Sequence, residues 1–167
     1  MRRILLTGIS GVGKSTVTDE LAQRGYKAVD ADDDAFSVWV EVAGELVEAA
    51  GTPVEADRDW VWREDRIGEL LVTEDTETLF MGGCAANMGK FLPQFDSVIL
   101  LTAPADVIVT RLQTRKNNVY GRHPDELARV LSLKDSVEPI LRRVAGHKID
   151  TSAPLDDVVA SVLRLAG

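Results

Sequence analysis

The sequence predicts an α/β fold with a parallel sheet, and three observations support this prediction. Short apolar runs alternate with helix-compatible segments along the 167 residues. Residues 97–101 are almost continuously apolar, as is typical of a strand that is covered on both faces. A glycine-rich loop at residues 8–15 stands between the first apolar run and the first helical segment. Strand, glycine loop and helix in this order are typical of a phosphate-binding turn.

The composition is that of a globular protein with an acidic balance. Hydrophobic residues make up 45% of the chain and charged residues 28%, and the length suits one domain with a sizeable core. The formal net charge of −8 argues against non-specific binding to nucleic acid or to anionic membranes. Cys84 is the single cysteine, the N-terminus is not signal-like, and the first strand begins near residue 3. These features predict a cytoplasmic protein without a targeting segment.

The predicted elements follow one another without an internal repeat or a linker. In the first half we expect strands over residues 3–7, 27–30 and 78–81, and helices over 14–24, 36–50 and 60–72. In the second half we expect strands over 97–101 and 147–150, and helices over 106–115, 125–144 and 155–165. Gly25 and the Gly51-Thr52-Pro53 turn end the helices before them, and Pro139 is a candidate kink.

The loop from Gly8 to Ser15 fits the pattern G-x-x-x-x-G-K-[ST] at every fixed position. Its glycines let the backbone turn tightly, and the N–H groups at the start of the following helix can cradle phosphates. Lys14 can reach the β- and γ-phosphates, and the Ser15 hydroxyl can bind Mg²⁺. The alternative, an ordinary glycine turn, does not account for the flanking strand and helix. The motif predicts a nucleoside triphosphate site made of Gly8, Ser10, Gly11, Val12, Gly13, Lys14, Ser15 and Thr16.

Four further motifs follow: Asp30-Ala31-Asp32, Gly82-Gly83, an arginine-rich segment after residue 110, and Asp150-Thr151. With these motifs the whole chain resembles the small P-loop kinases of the nucleoside-monophosphate-kinase type. This family includes shikimate, gluconate, dephospho-coenzyme A and adenylate kinases. The resemblance implies a three-layer P-loop NTPase fold with a five-stranded parallel sheet and a single domain over residues 1–167. It also implies a helical acceptor-binding insertion at 33–75 and a short lid at 113–125.

Asp30 and Asp32 stand one residue apart at the end of the second strand. Ligands of parallel sheets bind at this edge, and phosphoryl transfer needs both a metal ligand and a group that orients the attacking hydroxyl. The resemblance implies that Asp30 lies near Mg²⁺, through water, and that Asp32 orients the acceptor or acts as its base. A solvated acidic turn is the alternative, and it is the interpretation we give to Asp33 and Asp34.

Arg111 and Arg115 are one helical turn apart and therefore share a helix face. The resemblance implies that Arg111 stacks on the adenine, that Arg115 points to the phosphates, and that Arg122 closes over the γ-phosphate. Asp150 and Ser152 would lie in the loop behind the adenine. The alternatives are ion-paired surface arginines for the first two and an ordinary polar loop for Arg122.

The predicted insertion contains Arg58, Trp60, Trp62 and Arg63 within six residues. The arginines are suited to a carboxylate or phosphate, and Trp60 to a ring, although either tryptophan could instead pack the insertion onto the core. Gly82 and Gly83 would let backbone N–H groups approach the acceptor. On the helix after the lid, the resemblance implies a phosphate-binding arginine, for which we favour Arg143 over Arg142.

The chain departs from the known members of this family at the acceptor positions. Val137 stands where shikimate kinases carry an arginine, and Arg66 stands where an acidic residue would follow Arg63. Residues 82–87 replace the gluconate kinase signature. The sequence therefore predicts an ATP- and Mg²⁺-dependent phosphotransferase with its own acceptor.

Two acceptor classes stay open at this stage, a nucleoside or nucleotide and a sugar acid or polyol. ATP and GTP are not distinguished, and we expect a monomer or homodimer without a nucleic-acid or membrane partner. The alternative function is an ATP-binding switch or adaptor ATPase that has no small-molecule acceptor.

Overall fold

Parallel strands form the central sheet of the computed structural model, which describes residues 1–41, 58–116 and 118–167, with the backbone alone at 41, 58 and 59. The strands of this sheet are β1 (Arg2–Thr7), β2 (Lys27–Asp30), β5 (Thr78–Gly82), β6 (Ser97–Thr102) and β7 (His147–Asp150). Their order is β2-β5-β1-β6-β7, and every neighbouring pair is parallel. The predicted α/β fold with five parallel strands in this sheet is confirmed.

The helices run between these strands and cover the sheet. They are α1 (Lys14–Gln23), α2 (Glu64–Val72), α3 (Ala105–Thr114), α4 (Pro124–Ser136), α5 (Glu138–Val144) and α6 (Leu155–Ala166). Helix α1 packs against β2, β5 and α6, and α5 packs against β6. The predicted helix over 125–144 is divided at Val137, just before Pro139, which is the position of the expected kink.

The middle strands β1 and β6 are buried on both faces, which explains their continuous apolar sequence. Leu5 and Leu6 of β1 and Leu100 and Leu101 of β6 have no exposed surface. Because these two strands are fixed by the core, the loops at their carboxyl ends start from rigid positions. The loop after β1 is the glycine-rich segment.

The insertion differs from the sequence prediction. We expected helices over 36–50 and from residue 60, but β3 (Ser37–Glu41) and β4 (Arg58–Trp62) pair as antiparallel strands, and α2 begins only at Glu64. Valine and tryptophan alternate in these segments, and such residues favour a pleated surface when a partner strand is available. The rest of the first expected helix and its Gly51–Pro53 stop lie outside the described residues. In the part of the chain that the structure describes, no helix is long and apolar enough to span a membrane.

Candidate active site

A cavity of about 870 Å³ opens at the carboxyl edge of the central sheet. The glycine-rich loop and the start of α1 form one wall, and Asp32, Asp33 and Asp34 follow β2 along another. Trp39 of β3 and Trp60 of β4 face it from the insertion. The remaining lining comes from α3 and the loop behind it, with Arg111, Thr114, Arg115, Asn118, Val119, Tyr120 and Glu126. The cavity therefore lies where open α/β sheets bind their ligands.

The glycine-rich loop has the backbone that its sequence predicts. Gly13 precedes α1 with φ of 95°, in the left-handed region that favours glycine. A Cβ on Gly8 would lie 2.5 Å from the carbonyl oxygen of Leu101, so the loop passes too close to β6 for a side chain. The first amides of α1 point outward from the helix start, where they can bind an anion.

Lys14 is buried against the loop from which it extends. Its Nζ donates to the carbonyl oxygens of Gly8 at 2.6 Å and Ile9 at 3.0 Å. The loop carbonyls thus hold the ammonium group at the cavity wall, where it can exchange these bonds for phosphate oxygens.

Ser15 and Asp30 form a hydroxyl–carboxylate pair beside the loop. Ser15 Oγ donates to Asp30 Oδ2 at 2.6 Å, and Asp30 Oδ1 accepts from the Asp32 amide at 3.0 Å. The described residues contain no cluster of three or more His, Cys, Asp or Glu residues that could hold a metal by themselves. Mg²⁺ typically needs only one or two protein oxygens because phosphates and water complete its shell. The Ser15–Asp30 pair fits that requirement.

Asp32 is a half-buried carboxylate in the cavity wall. Its Oδ1 accepts from the Cys84 amide at 3.2 Å, and the Trp60 side chain also hydrogen-bonds to it. Burial raises the pKa of Asp32 to about 6, against the opposing effect of the Lys14 charge, and the charge of Asp30 adds to the increase. A carboxylate with such a pKa can accept a proton near neutral pH.

Arg111 connects the glycine-rich loop to the segment after β7. Its guanidinium donates to Thr151 Oγ1 at 2.8 Å, to the Thr151 carbonyl at 2.6 Å and to the Gly11 carbonyl at 3.4 Å. Burial lowers the pKa of Arg111. A second cavity of about 150 Å³ lies beside it, between α1 and residues 151–158. Arg111 therefore borders two cavities, and its guanidinium is held in place by the backbone.

Asp150 and Ser152 shape the loop after β7 without lining either cavity. The Asp150 carboxylate accepts from the Ser152 amide at 2.8 Å and from its hydroxyl at 2.6 Å, which lowers the pKa of Asp150. Both residues are exposed. Thr151 between them is buried, and its hydroxyl donates to the Val12 carbonyl at 2.6 Å.

Arg115 and Arg122 bind the loop between α3 and α4. Arg115 donates to the carbonyls of Asn118 at 2.9 Å and Tyr120 at 2.6 Å, and Arg122 donates to the Arg115 carbonyl. Burial and the adjacent charge of Arg122 lower the pKa of Arg115. Arg115 lines the large cavity, whereas Arg122 is exposed and does not.

The two tryptophans of β4 have different surroundings. Trp60 forms an edge-to-face pair with Trp39, with ring centroids 5.1 Å apart, and both rings line the cavity. Trp62 is 1% exposed and packs in the core against Phe91, with ring centroids 5.9 Å apart. The packing interpretation applies to Trp62, whereas Trp60 lines the cavity and its stacking on a ligand ring stays a prediction.

Of the other expected acceptor residues whose side chains the structure describes, none lines the large cavity. The Gly83 amide donates to the Leu6 carbonyl at 3.0 Å, and a Cβ there would lie 3.1 Å from Trp62, so this glycine makes room for the core. Gly82 likewise faces Thr18, whose Oγ1 would lie 2.5 Å from a Cβ. Arg63, which directly precedes α2, is exposed, and so is Arg143 on α5. Arg58 begins β4, and its side chain lies outside the described residues.

Sequence reasoning missed Trp39, Asn87 and the structural role of Thr151. The helix expected over 36–50 includes Trp39 but does not place it opposite Trp60, so Trp39 is not among the predicted site residues. The signal for it was the repeated valine–tryptophan alternation in residues 38–40 and 60–62. Asn87 acts through the backbone of Trp62, and its sequence neighbourhood contains no signal for that contact.

The glycine-rich loop, the Ser15–Asp30 pair and Asp32 at one sheet edge define a P-loop nucleotide-binding protein, and comparison with known proteins specifies its family. A family model described as an AAA domain matches residues 4–132. Shikimate kinase 2 of Pectobacterium carotovorum subsp. carotovorum (strain PC1) is 31% identical over 173 residues, covering 96% of this chain and 94% of the relative. The chain belongs to the family that this model describes, and it is a member of the small P-loop kinases.

Two further proteins show the range of this likeness. Dephospho-CoA kinase of Mesorhizobium japonicum (strain LMG 29417 / CECT 9101 / MAFF 303099) is 29% identical over 191 residues, covering 94% of this chain and 91% of the relative. The structure of shikimate kinase from Acinetobacter baumannii in complex with shikimate has the same fold, with a TM-score of 0.63 over 99% of this chain and 92% of that chain at 20% identity. The protein is a small-molecule kinase, an enzyme that transfers a phosphoryl group to a small metabolite.

Proposed function

We propose that this protein uses ATP and Mg²⁺ to phosphorylate a hydroxyl or phosphate group of a small metabolite in the cytoplasm. The observation that carries the proposal is the position of Asp32. Its carboxylate lines the same cavity as Lys14 and Ser15, is close enough to Lys14 to be affected by its charge, and lies near Asp30, to which Ser15 donates a hydrogen bond. Phosphoryl transfer requires these three functions, which are an acceptor-orienting base, a cation for the phosphates and a metal ligand pair, within one cavity.

ATP would bind with its phosphates on the loop from Gly8 to Thr16 and its base near Arg111 and the segment 150–152. Ser15 and Asp30 would hold Mg²⁺, which supplies charge neutralisation on the phosphate oxygens when bound. Lys14 would exchange its bonds to Gly8 and Ile9 for phosphate oxygens. Asp32 would accept a hydrogen bond from the acceptor hydroxyl and take its proton as the hydroxyl oxygen bonds to the γ-phosphorus, while the bond from that phosphorus to the β,γ-bridging oxygen breaks and ADP leaves.

Arg115 and Arg122 would act from the proposed lid at 113–125. Both are anchored on the loop after α3, so a movement of that loop toward the glycine-rich loop would bring their charges to the γ-phosphate. Closure would also exclude water and limit ATP hydrolysis. The acceptor would lie against Asp32 and the insertion at 33–75, where Arg58, Trp60, Arg63, Gly82, Gly83 and Arg143 remain proposed contacts. We also propose a monomer or homodimer without nucleic-acid or membrane partners.

The test is ADP release with Mg²⁺ and ATP across nucleosides, nucleotides, sugar acids and polyols, with Lys14→Ala as the blank. Stimulation by one acceptor class that Lys14→Ala abolishes supports the proposal. Slow release that no acceptor changes contradicts it and supports the alternative of a switch or adaptor ATPase. Substituting GTP for ATP in the same assay identifies the nucleotide.

A further inference from the structure

The basic side chains that line the large cavity lie along the glycine-rich loop and α3. Among the described residues these are Lys14, Arg111 and Arg115. Lys14 binds the loop carbonyls, Arg111 contacts Gly11 and Thr151, and Arg115 holds the loop after α3. These cations therefore occupy the side of the cavity where a nucleoside triphosphate needs them.

The part of the cavity wall that follows β2 is acidic. Asp32, Asp33 and Asp34 follow β2 there, and the last two are exposed to the cavity solvent. Of the lining residues that the structure describes, no lysine or arginine comes from β2, β3 or β4. A negatively charged group on the acceptor would therefore be repelled by these carboxylates beside Asp32.

The same side presents two aromatic rings. Trp39 lies directly opposite Trp60 in the β3–β4 ladder, and the rings meet edge to face at 5.1 Å between centroids. The Trp60 carbonyl accepts from the Ala86 amide at 3.0 Å, which fixes this strand to the loop after β5. The Trp60 side chain also hydrogen-bonds to Asp32. The rings are thus held next to the carboxylate that would orient the acceptor.

We infer that the acceptor is a ring-bearing alcohol without an acidic group, either uncharged or carrying an amine. This inference rests on the proposed function and specifies its acceptor. Indole rings bind flat rings by stacking and bind cations through their π faces, and Asp34 favours a positive group on the ligand. Within the two acceptor classes, the geometry favours nucleosides over nucleotides and polyols or amino sugars over sugar acids.

The experiment compares acceptors that share a ring but differ in charge, using the full chain with Mg²⁺ and ATP. Glucose, glucosamine and glucuronate form one set, and adenosine and AMP form another. ADP release gives kcat/KM, and quenching of tryptophan fluorescence in the presence of ADP gives binding without turnover. We expect kcat/KM, or the affinity measured by fluorescence, to be at least about tenfold lower for the acid than for the uncharged or amine compound of the same set.

Equal or better binding of the acids, or no fluorescence response to any of these probes, overturns the inference. Selective binding without ADP release supports it while contradicting the proposed function, so the two failures are distinguishable. Asp34→Asn should reduce the preference for glucosamine over glucuronate at least about threefold, whereas Asp135→Asn on the exposed face of α4 should leave it unchanged.

The aromatic contribution has its own variants. Trp60→Leu should raise KM for the favoured acceptor about threefold to tenfold with KM for ATP unchanged, and Trp60→Phe should restore most of the loss. An equal rise in both KM values for Trp60→Leu would overturn the ring-binding role, because a general loss of structure affects both substrates.

Discussion

The side chain of Asn87 forms two hydrogen bonds with the backbone of Trp62. Asn87 Oδ1 accepts from the Trp62 amide at 2.9 Å, and Asn87 Nδ2 donates to the Trp62 carbonyl at 2.9 Å. The side-chain amide therefore pairs with β4 as a neighbouring strand would. The loop that carries Asn87 also contains Cys84, whose amide donates to Asp32. One loop thus fixes both the tryptophan strand and the proposed catalytic carboxylate.

Asn87→Ala should lower the free energy of unfolding by about 1–3 kcal/mol, because it leaves two backbone groups of the buried Trp62 without their partner. It should raise KM for the acceptor several-fold and leave KM for ATP near the wild-type value, since the glycine-rich loop does not contact Asn87. Chemical denaturation and steady-state kinetics measure the two effects. Gln23→Ala, at an exposed position in α1, is the matched control and should change neither. A rise in KM for ATP alone would contradict the link to the insertion.

The sequence predicted the central sheet because each of its strands has a local signature. The apolar runs predict that β1 and β6 lie in the middle of the sheet, where they are buried. The glycine motif after β1 predicts that this loop is exposed at the edge of the sheet. The signature of the β3–β4 pair is weaker, because it consists of the valine–tryptophan alternation in residues 38–40 and 60–62 alone. A helix over 36–50 is compatible with the local sequence, and only the partner strand, about twenty residues away in the chain, decides for a strand.

The same distinction applies to the site. Lys14, Ser15, Asp30 and Asp32 follow from motifs with fixed spacing, and the structure brings Lys14, Ser15 and Asp32 to one cavity, with Asp30 hydrogen-bonded to Ser15. The acceptor residues have no fixed spacing, so Arg63 was predicted from its charge and Arg143 from the family resemblance, and the structure leaves both outside the cavity lining. Trp39 joins Trp60 only through strand pairing, and that contact depends on the tertiary fold.

Asp32→Asn should reduce kcat/KM about 10²- to 10⁴-fold if Asp32 is the base. It should also change how stability depends on pH. Burial raises the pKa of Asp32 from 3.8 to about 6 in the folded protein. The folded state then binds more protons than the unfolded state between these values, so the wild type loses stability as pH rises from about 4 to about 6.

Asparagine has no such proton, so the variant should have the higher Tm above pH 6, and this advantage should vanish below about pH 4. Thermal unfolding at several pH values measures the difference, with Asp19→Asn on the exposed surface of α1 as the control. An advantage of Asp32→Asn that is constant with pH would contradict the raised pKa. For the wild type, kcat/KM should rise with pH up to about 6 and then level, because the carboxylate form is the base.

Thr151→Val should weaken ATP binding more than acceptor binding. The Thr151 hydroxyl donates to Val12 in the glycine-rich loop and accepts from Arg111, so it connects three parts of the nucleotide site. Valine keeps the shape but leaves buried groups without a partner, which costs about 1–3 kcal/mol of stability. We expect KM for ATP to rise several-fold with a smaller change in KM for the acceptor. Thr110→Val is the control, because its exposed hydroxyl donates to the Asp106 carbonyl of its own helix.

Gly83→Ala tests whether the core position of Trp62 controls the insertion. A Cβ at residue 83 would lie 3.1 Å from Trp62 Cζ2 and 3.2 Å from Ala31 Cβ, and both neighbours are buried. Displacing the indole should lower the free energy of unfolding by about 1–3 kcal/mol. Because Trp62 belongs to the strand that carries Trp60, the same displacement should raise KM for the acceptor. Gly89→Ala meets no atom within 4 Å and should leave both quantities near the wild-type values. If the two variants behave alike, Trp62 moves without cost, and the position of β4 depends on the Asn87 contacts instead.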